Sequence, residues 1–326
     1  MKSVKIIGTG RALPERVLTN FDLEKMVDTS DEWIVERTGI RERRIADENT
    51  ATSDLAAVAL ERACQQAGVK PAELDTIIVA TSTPDTIYPA TACWVQKRLG
   101  IAGSAAFDIS AGCSGFLFAL EVAANLIIAG TVRKAGVIGA EVMSKVVNWQ
   151  DRATCVLFGD GAGAAVVAPG DGKSGIISSN WGCDGNLASL LYQPAGGTRL
   201  PTSEKTLKEM AHTVHMEGNQ VFRHAVRAMG NAALRALKDA GLTAADVNLF
   251  IPHQANIRIM EEARVRAGIP AEKMYVVLHK YGNMSAATIP VAIDEARAEG
   301  RIQEGDIILL TAFGTGFTWA GALFRW

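Results

Sequence analysis

Three residues have the types and settings that covalent catalysis requires. Cys113 stands in AGCSGF, between small residues that allow close backbone approach, at a predicted helix start. A helix N-terminus carries partial positive charge and free N–H groups, which lower a thiol pKa and favour the nucleophilic thiolate. The same cysteine in a buried apolar setting would be inert. His253, in IPHQAN, follows an apolar strand, where a loop presents its ring to a pocket; a single histidine serves structure at least as often. Asn283, in YGNMSA, carries an amide N–H that donates at any ordinary pH, and Asn beside Gly is also common turn chemistry. Cys64 and Cys93 lie in helical segments and Cys155 precedes the strand-like VLFG, so these three read as core. His212, His215, His224 and His279 have no comparable context.

The elements that must position these residues occur twice. A helix over Thr52–Ala67 stops at Gly68 and is followed by VKPAELD and the apolar strand TIIVA. A helix over Phe222–Ala240 stops at Gly241 and is followed by LTAADVN and the strand LFIP. Each helix ends where a left-handed glycine cap is wanted. The order then continues in parallel: TACWVQKRLGI with IRIMEEARVRAGI, the Cys113 turn and its helix with the Asn283 turn and its helix, GVIGAE with DIILLTA, and FGDGAGAAVVA with FGTGFTWAGALF. Val-, Ile- and Ala-rich runs alternating with helices indicate an α/β protein with sheets buried on both faces. The duplication divides the chain into halves 1–172 and 173–326 near the Gly-rich APGDGKSG. It sets Asn283 at the same turn as Cys113, and His253 at a strand end, where open α/β sheets carry their sites.

Composition narrows the class. With 48% hydrophobic and 21% charged residues the chain can bury a large core. A net charge of -2 offers no global field for nucleic acid or anionic membrane. The opening MKSVKIIGTG is too short an apolar run for a signal or a membrane span, and the longest apolar stretch, Phe116 to Ala129, contains Glu121 and Asn125. A cytoplasmic protein is expected. Five widely spaced cysteines without a Cys-x-x-Cys pair suggest neither disulfides nor a metal site. GDGAGAA runs into a strand rather than a helix, and GTGRALP lacks a following helix, so neither supports a bound dinucleotide.

AGCSGF, IPHQAN, YGNMSAA and AFGTGFTW, with DEWIVERTGI and FGDGAGAAV, resemble the thiolase-superfamily condensing enzymes of the β-ketoacyl-acyl-carrier-protein synthase III family, from the first strand to the last residue. The resemblance implies a thiolase-like duplicated five-layer α-β-α-β-α fold and a homodimer. It implies a decarboxylative Claisen condensation that initiates fatty-acid synthesis. Cys113 takes the acyl group of acetyl-CoA or another short acyl-CoA, and malonyl-acyl-carrier protein then loses CO2 and attacks it. His253 and Asn283 would donate to the malonyl thioester oxygen. No cofactor is implied; acyl-CoA and carrier protein are substrates. Thr315, where relatives often have Gly, falls in the oxyanion turn, Phe313 beside it would exclude water, and Tyr88 would floor the partner's acyl pocket. Trp33, Arg37, Thr38, Arg152, Phe222 and Asn256 match CoA contacts. Trp33 and Arg37 are also four apart on one predicted helix, where they could equally form a surface cation-π pair. Arg223 and Arg258 match carrier-protein docking positions, with Arg264 and Arg266 further along, a segment that could equally be a solvated mixed-charge face.

Other members of the superfamily fit less well. A degradative thiolase would need a second cysteine in AFGTGFTW, a chain-elongating synthase a histidine at Asn283, and a hydroxymethylglutaryl-CoA synthase a glutamate where STPD has Asp85. A secondary-metabolite acyltransferase without decarboxylation often replaces the Asn. A carrier-protein scaffold with a dead site would be expected to have lost one of the three residues.

Overall fold

The computed structural model describes residues 3–326; Met1 and Lys2, which open the N-terminal half and the MKSVKIIGTG segment, lie outside the described residues. Two sheets carry the architecture. The first runs Val4–Ala12, Asp160–Pro169, Ala135–Val142, Thr76–Ala80, Ala105–Ile109 in spatial order. Thr76–Ala80 pairs parallel with both neighbours, and the strands beyond Ala135–Val142 are antiparallel. The second runs Gly175–Cys183, Thr318–Arg325, Ile307–Gly314, Leu249–Pro252, the same order built from the second half. Its fifth strand is reduced to one bridge, Phe250 to Met274.

Thr52–Ala67 and Thr91–Leu99 cover the outer face of the first sheet; Gly218–Ala240 and Ile257–Ala267 cover the second. Between the sheets lie Gly115–Ile128 and Thr288–Ala298. The last is buried on nearly every side, from Thr288 to Ala296, which suits a helix clamped between two sheets. Side chains of both sheets and both middle helices form one apolar cluster, including Ile78, Phe116, Leu120, Val291 and Leu310. Burying each such side chain stabilises by about 1.5–3 kcal/mol. The four outer helices all end on left-handed glycines, Gly68, Gly100, Gly241 and Gly268, as the pattern predicts. The helix expected from Phe222 begins one turn earlier, at Gly218.

The two middle helices are each preceded by a tight 3-10 turn, Gly112–Ser114 and Ser285–Ala287. The turns are seated reciprocally. A Cβ on Gly314, in the second sheet, would lie 2.5 Å from the Cys113 nitrogen, and one on Gly139, in the first, 2.2 Å from the Ala286 carbonyl oxygen. Each turn therefore rests on bare backbone of the other half's sheet. Their first residues, Gly112 and Ser285, share a positive φ, 53° and 46°. This register corrects the expected symmetry: counting from those two residues, the counterpart of Cys113 is Ala286, and Asn283 lies three residues before it.

Candidate active site

Each candidate residue is fixed by its backbone. Cys113 is the middle residue of the turn Gly112–Ser114, directly before Gly115–Ile128. His253 follows Leu249–Pro252, and its N–H donates to Thr311 O at 2.8 Å. The adjacent Gln254 is fully buried and entirely used. Its Nε2 donates to Pro252 O at 2.8 Å, and its Oε1 accepts from Val277 and Leu278 N–H at 2.9 and 3.2 Å. This locks the loop that aims the imidazole. Asn283 is bridged to Phe158, its N–H donating to Leu157 O at 2.9 Å and its carbonyl accepting from Gly159 N–H at 3.1 Å. Its Oδ1 accepts from Ser285 N–H at 2.8 Å, which leaves the amide N–H groups for the cavity it lines.

The electrostatics depart from the expectation at Cys113. Burial pushes its thiol up to about 12, with the Ser285 hydroxyl acting downward and Glu141 upward. Desolvation outweighs the helix terminus, so the resting group is a thiol. Burial also lowers the His253 imidazole to about 3, so it is neutral near pH 7. Its Nδ1 lies 2.6 Å from Thr288 Oγ1, and that hydroxyl lies 3.0 Å from Ser285 O. The hydroxyl serves either tautomer. It accepts from Nδ1–H while donating to Ser285 O, leaving a bare Nε2, or it turns and donates to Nδ1, leaving Nε2–H.

Cys113, His253 and Asn283 all line one cavity of about 320 Å³, together with Phe313 and Gly314. Arg37, Phe222, Asn256 and Arg258 line the same space. On another side Cys113 borders a smaller, mainly apolar space of about 90 Å³, with Met143, Val146, Phe158, Val214 and Thr315. The Thr315 hydroxyl donates to Leu191 O, so the residue that replaces a common Gly is anchored in the wall of this small space. Phe313 is buried against Phe317, with ring centroids 4.6 Å apart.

Several expected contacts fall elsewhere. Trp33 carries both Arg37 and Arg152, their guanidinium carbons 5.1 and 4.8 Å from the ring centroid, so an entering planar base must displace a guanidinium. Thr38 is buried; its hydroxyl donates to Ile34 O and accepts from Ile40 N–H, which removes it as a direct ligand contact. Both polar atoms of the Asn256 side chain are in use, Oδ1 capping Ile257–Ala267 and Nδ2 donating to Arg37 O, so Asn256 shapes the cavity wall. Arg264 is tied inward to Glu261 and the Ile269 carbonyl, which excludes it from a docking patch, and Arg266 donates to Asn231. Arg223 and Arg258 are exposed, and so is Arg227, one helical turn beyond Arg223. Tyr88 is 85% exposed and lines neither cavity. Cys64 and Cys155 are buried as expected, whereas Cys93 is half-buried.

Sequence reasoning missed Gln254, Thr288, Ser285 and Glu141. The available signals were a polar residue beside the histidine in IPHQAN, two hydroxyl residues following the asparagine in GNMSAATI, and a carboxylate closing the apolar run GVIGAE.

Two family models match the chain, 3-oxoacyl-[acyl-carrier-protein] synthase III over residues 107–185 and its C-terminal part over residues 237–326. The β-ketoacyl-[acyl-carrier-protein] synthase III of Caldanaerobacter subterraneus subsp. tengcongensis is 55% identical, covering 98% of this chain and 97% of its own length. This chain belongs to the β-ketoacyl-acyl-carrier-protein synthase III family. Among solved structures of the family, the Aquifex aeolicus VF5 3-oxoacyl-[acyl-carrier-protein] synthase III superposes with a TM-score of 0.92 at 48% identity, covering 99% of this chain and all of that one. The priming β-ketosynthase of the R1128 polyketide pathway gives 0.91 at 35%, covering 99% and 96%. The five-layer arrangement is thus the thiolase-type fold of this family. No helix among the described residues is long and apolar enough to cross a membrane, and no group of three or more His, Cys, Asp or Glu among them could hold a metal ion.

Proposed function

We propose that this synthase III family member condenses a short acyl-CoA with malonyl-acyl-carrier protein, releasing CO2 and CoA and initiating fatty-acid synthesis through an acyl-Cys113 intermediate. The observation that carries this reading is the convergence of Cys113, His253 and Asn283 on one cavity. In the first half-reaction, His253 with a bare Nε2 takes the thiol proton as the sulfur attacks the acyl carbonyl. The Cys113 N–H and the backbone of the Gly314–Thr315 turn hold the oxyanion. Collapse expels CoA as a thiolate, which takes the proton back from His253.

In the second half-reaction the malonyl thioester loses CO2. The oxygen that gains charge accepts from the free Asn283 amide and from His253 as the Nε2–H tautomer. The enolate carbon attacks the acyl-Cys113 carbonyl, the C–S bond breaks, and a proton from solvent restores the thiol. Phe313 keeps water from the thioester. The reactivity lies in the two thioesters, and the chemistry needs no cofactor.

The small apolar space beside Cys113, about 90 Å³, favours an acetyl or similarly short primer. Arg37, Phe222, Trp33 and Arg152 receive the CoA arm, and Arg223, Arg227 and Arg258 form the basic patch that meets an acidic carrier protein. The halves 1–172 and 173–326 act as one catalytic unit, in the cytoplasm. Incubation with acetyl-CoA is expected to add one acetyl group to Cys113 by intact-mass spectrometry, and malonyl-carrier protein then to yield the acetoacetyl product. In Asn283→Ala the first step persists and the second slows by about 10²–10³-fold. An unchanged rate in Cys113→Ser would overturn the assignment.

A further inference from the structure

Behind the nucleophile lies a carboxyl group to which this mechanism gives no task. Glu141, near the end of Ala135–Val142, is completely buried. No Lys, Arg or His among the described residues forms an ion pair with it, so a charge there would stand uncompensated. Its Oε2 accepts from Thr83 Oγ1 at 2.6 Å, Thr81 Oγ1 at 3.2 Å and Ser82 N–H at 3.1 Å. Its Oε1 also meets Ser82 N–H at 3.1 Å and lies 2.9 Å from Ser285 Oγ. The Thr81 and Thr83 hydroxyls accept from Thr83 and Val142 N–H, which directs their own protons at the carboxyl. Ser285 Oγ is therefore placed to accept a proton from Oε1 of Glu141, and the same residue lines the small cavity with Cys113, where its hydroxyl acts on the thiol.

Ser285 touches the rest of the site as well. Its N–H holds Asn283 Oδ1, and its carbonyl faces the Thr288 hydroxyl that contacts His253. It does so in a left-handed backbone conformation unusual for serine, with φ 46°.

We propose that Glu141 works as a protonated acid and Ser285 as its relay: the carboxyl O–H on Oε1 donates to Ser285 Oγ, whose own O–H donates to the Cys113 sulfur as it becomes a thiolate. Ser285 has one hydroxyl proton and two acceptors, a carboxylate and a thiolate. If Glu141 were ionised, that proton would be drawn to it, and Cys113 would face a second anion with no donor. With one more proton on Oε1 every position is filled, and the thiolate receives a charge-assisted hydrogen bond. Burial without a counter-ion raises the Glu141 pKa, in keeping with the neutral form. The other acids near this pair are already engaged, Asp160 with Ala46 N–H and Ser144, and Asp85 with Ser53. No covalent bond is made in the relay. The S–H proton leaves to His253, and the relay protons stay on their own oxygens. Both residues are positioning residues, and the inference rests on the assignment of Cys113 as nucleophile.

The test is the pH profile of Cys113 alkylation by iodoacetamide in the intact enzyme, which needs no substrate and so stands apart from the proposed reaction. Ser285→Ala and Glu141→Ala are expected to move the profile to higher pH and slow alkylation at pH 7 by about tenfold. Glu141→Gln, whose amide can still donate to Ser285, should recover to within about threefold of the native rate. Alkylation faster than native in Glu141→Gln would mean that a carboxylate charge had been removed, and would overturn the proposal. An unchanged profile in Ser285→Ala would do the same. A second readout is infrared absorption of the native enzyme at pH 7. A protonated-carboxyl band that shifts when Cys113 is alkylated supports the relay, and a band that does not shift, or none, refutes it even if Glu141 variants fail to fold.

Discussion

At the residue scale, the site keeps its reactive groups uncharged until substrate arrives. Cys113 rests as a thiol and His253 as a neutral imidazole, both because burial penalises their charged forms. In the proposed mechanism attack creates the ion pair only when an acyl thioester is present, which would limit idle oxidation of the sulfur. The depressed His253 pKa also makes a stability statement. The folded state leaves the ring neutral down to about pH 3, whereas an unfolded chain protonates it below about 6.5. The unfolded state thus binds more protons in that window. Stability is complete above pH 6.5 and falls as pH drops, by about 1.4 kcal/mol per unit from this group. Urea unfolding at pH 7 and pH 5 should show a smaller loss in His253→Gln than in the native protein. Equal losses would mean that the ring is not held neutral.

At the element scale, the paired turns and glycine-capped helices were legible because they depend on local chemistry: a glycine where φ is positive, an apolar run where a strand is buried. That Cys113, His253 and Asn283 would meet at one cavity was legible for the same reason, each standing in a short motif beside such an element. The thiol's protonation was not, since the helix-terminus argument is local and desolvation is set by the whole fold. Thr38 and Arg264 failed as contact residues because exposure depends on neighbours distant in sequence, and Ser285 and Glu141 acquire meaning only when two halves meet. The seat of the Cys113 turn on Gly314 can be tested directly. Gly314→Ala places a methyl group against the Cys113 and Ser114 nitrogens and is expected to cost about 1–3 kcal/mol by thermal or urea melting. Cys113 acetylation should fall by more than the loss of folded protein explains; a proportionate fall would show that the seat matters only for stability.

At the scale of the whole molecule, the first sheet ends on Ala105–Ile109, whose outer edge is unpaired among the described residues. Beside the start of that sheet's next helix stand Ile87 and Tyr88, 81% and 85% exposed. Exposed strand edges and large apolar side chains are liabilities that natural proteins cover, and a second copy pairing edge to edge would cover both. Sedimentation is expected to show a dimer, and Tyr88→Ala to shift primer preference towards longer acyl-CoA. A monomer with full activity would refute the assignment of Tyr88 to a partner's pocket.

The reciprocal seating of the two turns has a consequence for how the chain comes into being. The N-terminal half leaves the ribosome before the C-terminal half, carrying its cysteine, and the strand with Gly314 emerges only later. Until that strand docks, the turn holding Cys113 lacks its support, and its cavity with Ser285 is not closed. The order of synthesis thus delays completion of the Cys113 turn until its seat is in place, and a later stretch of the chain finishes a pocket begun by an earlier one.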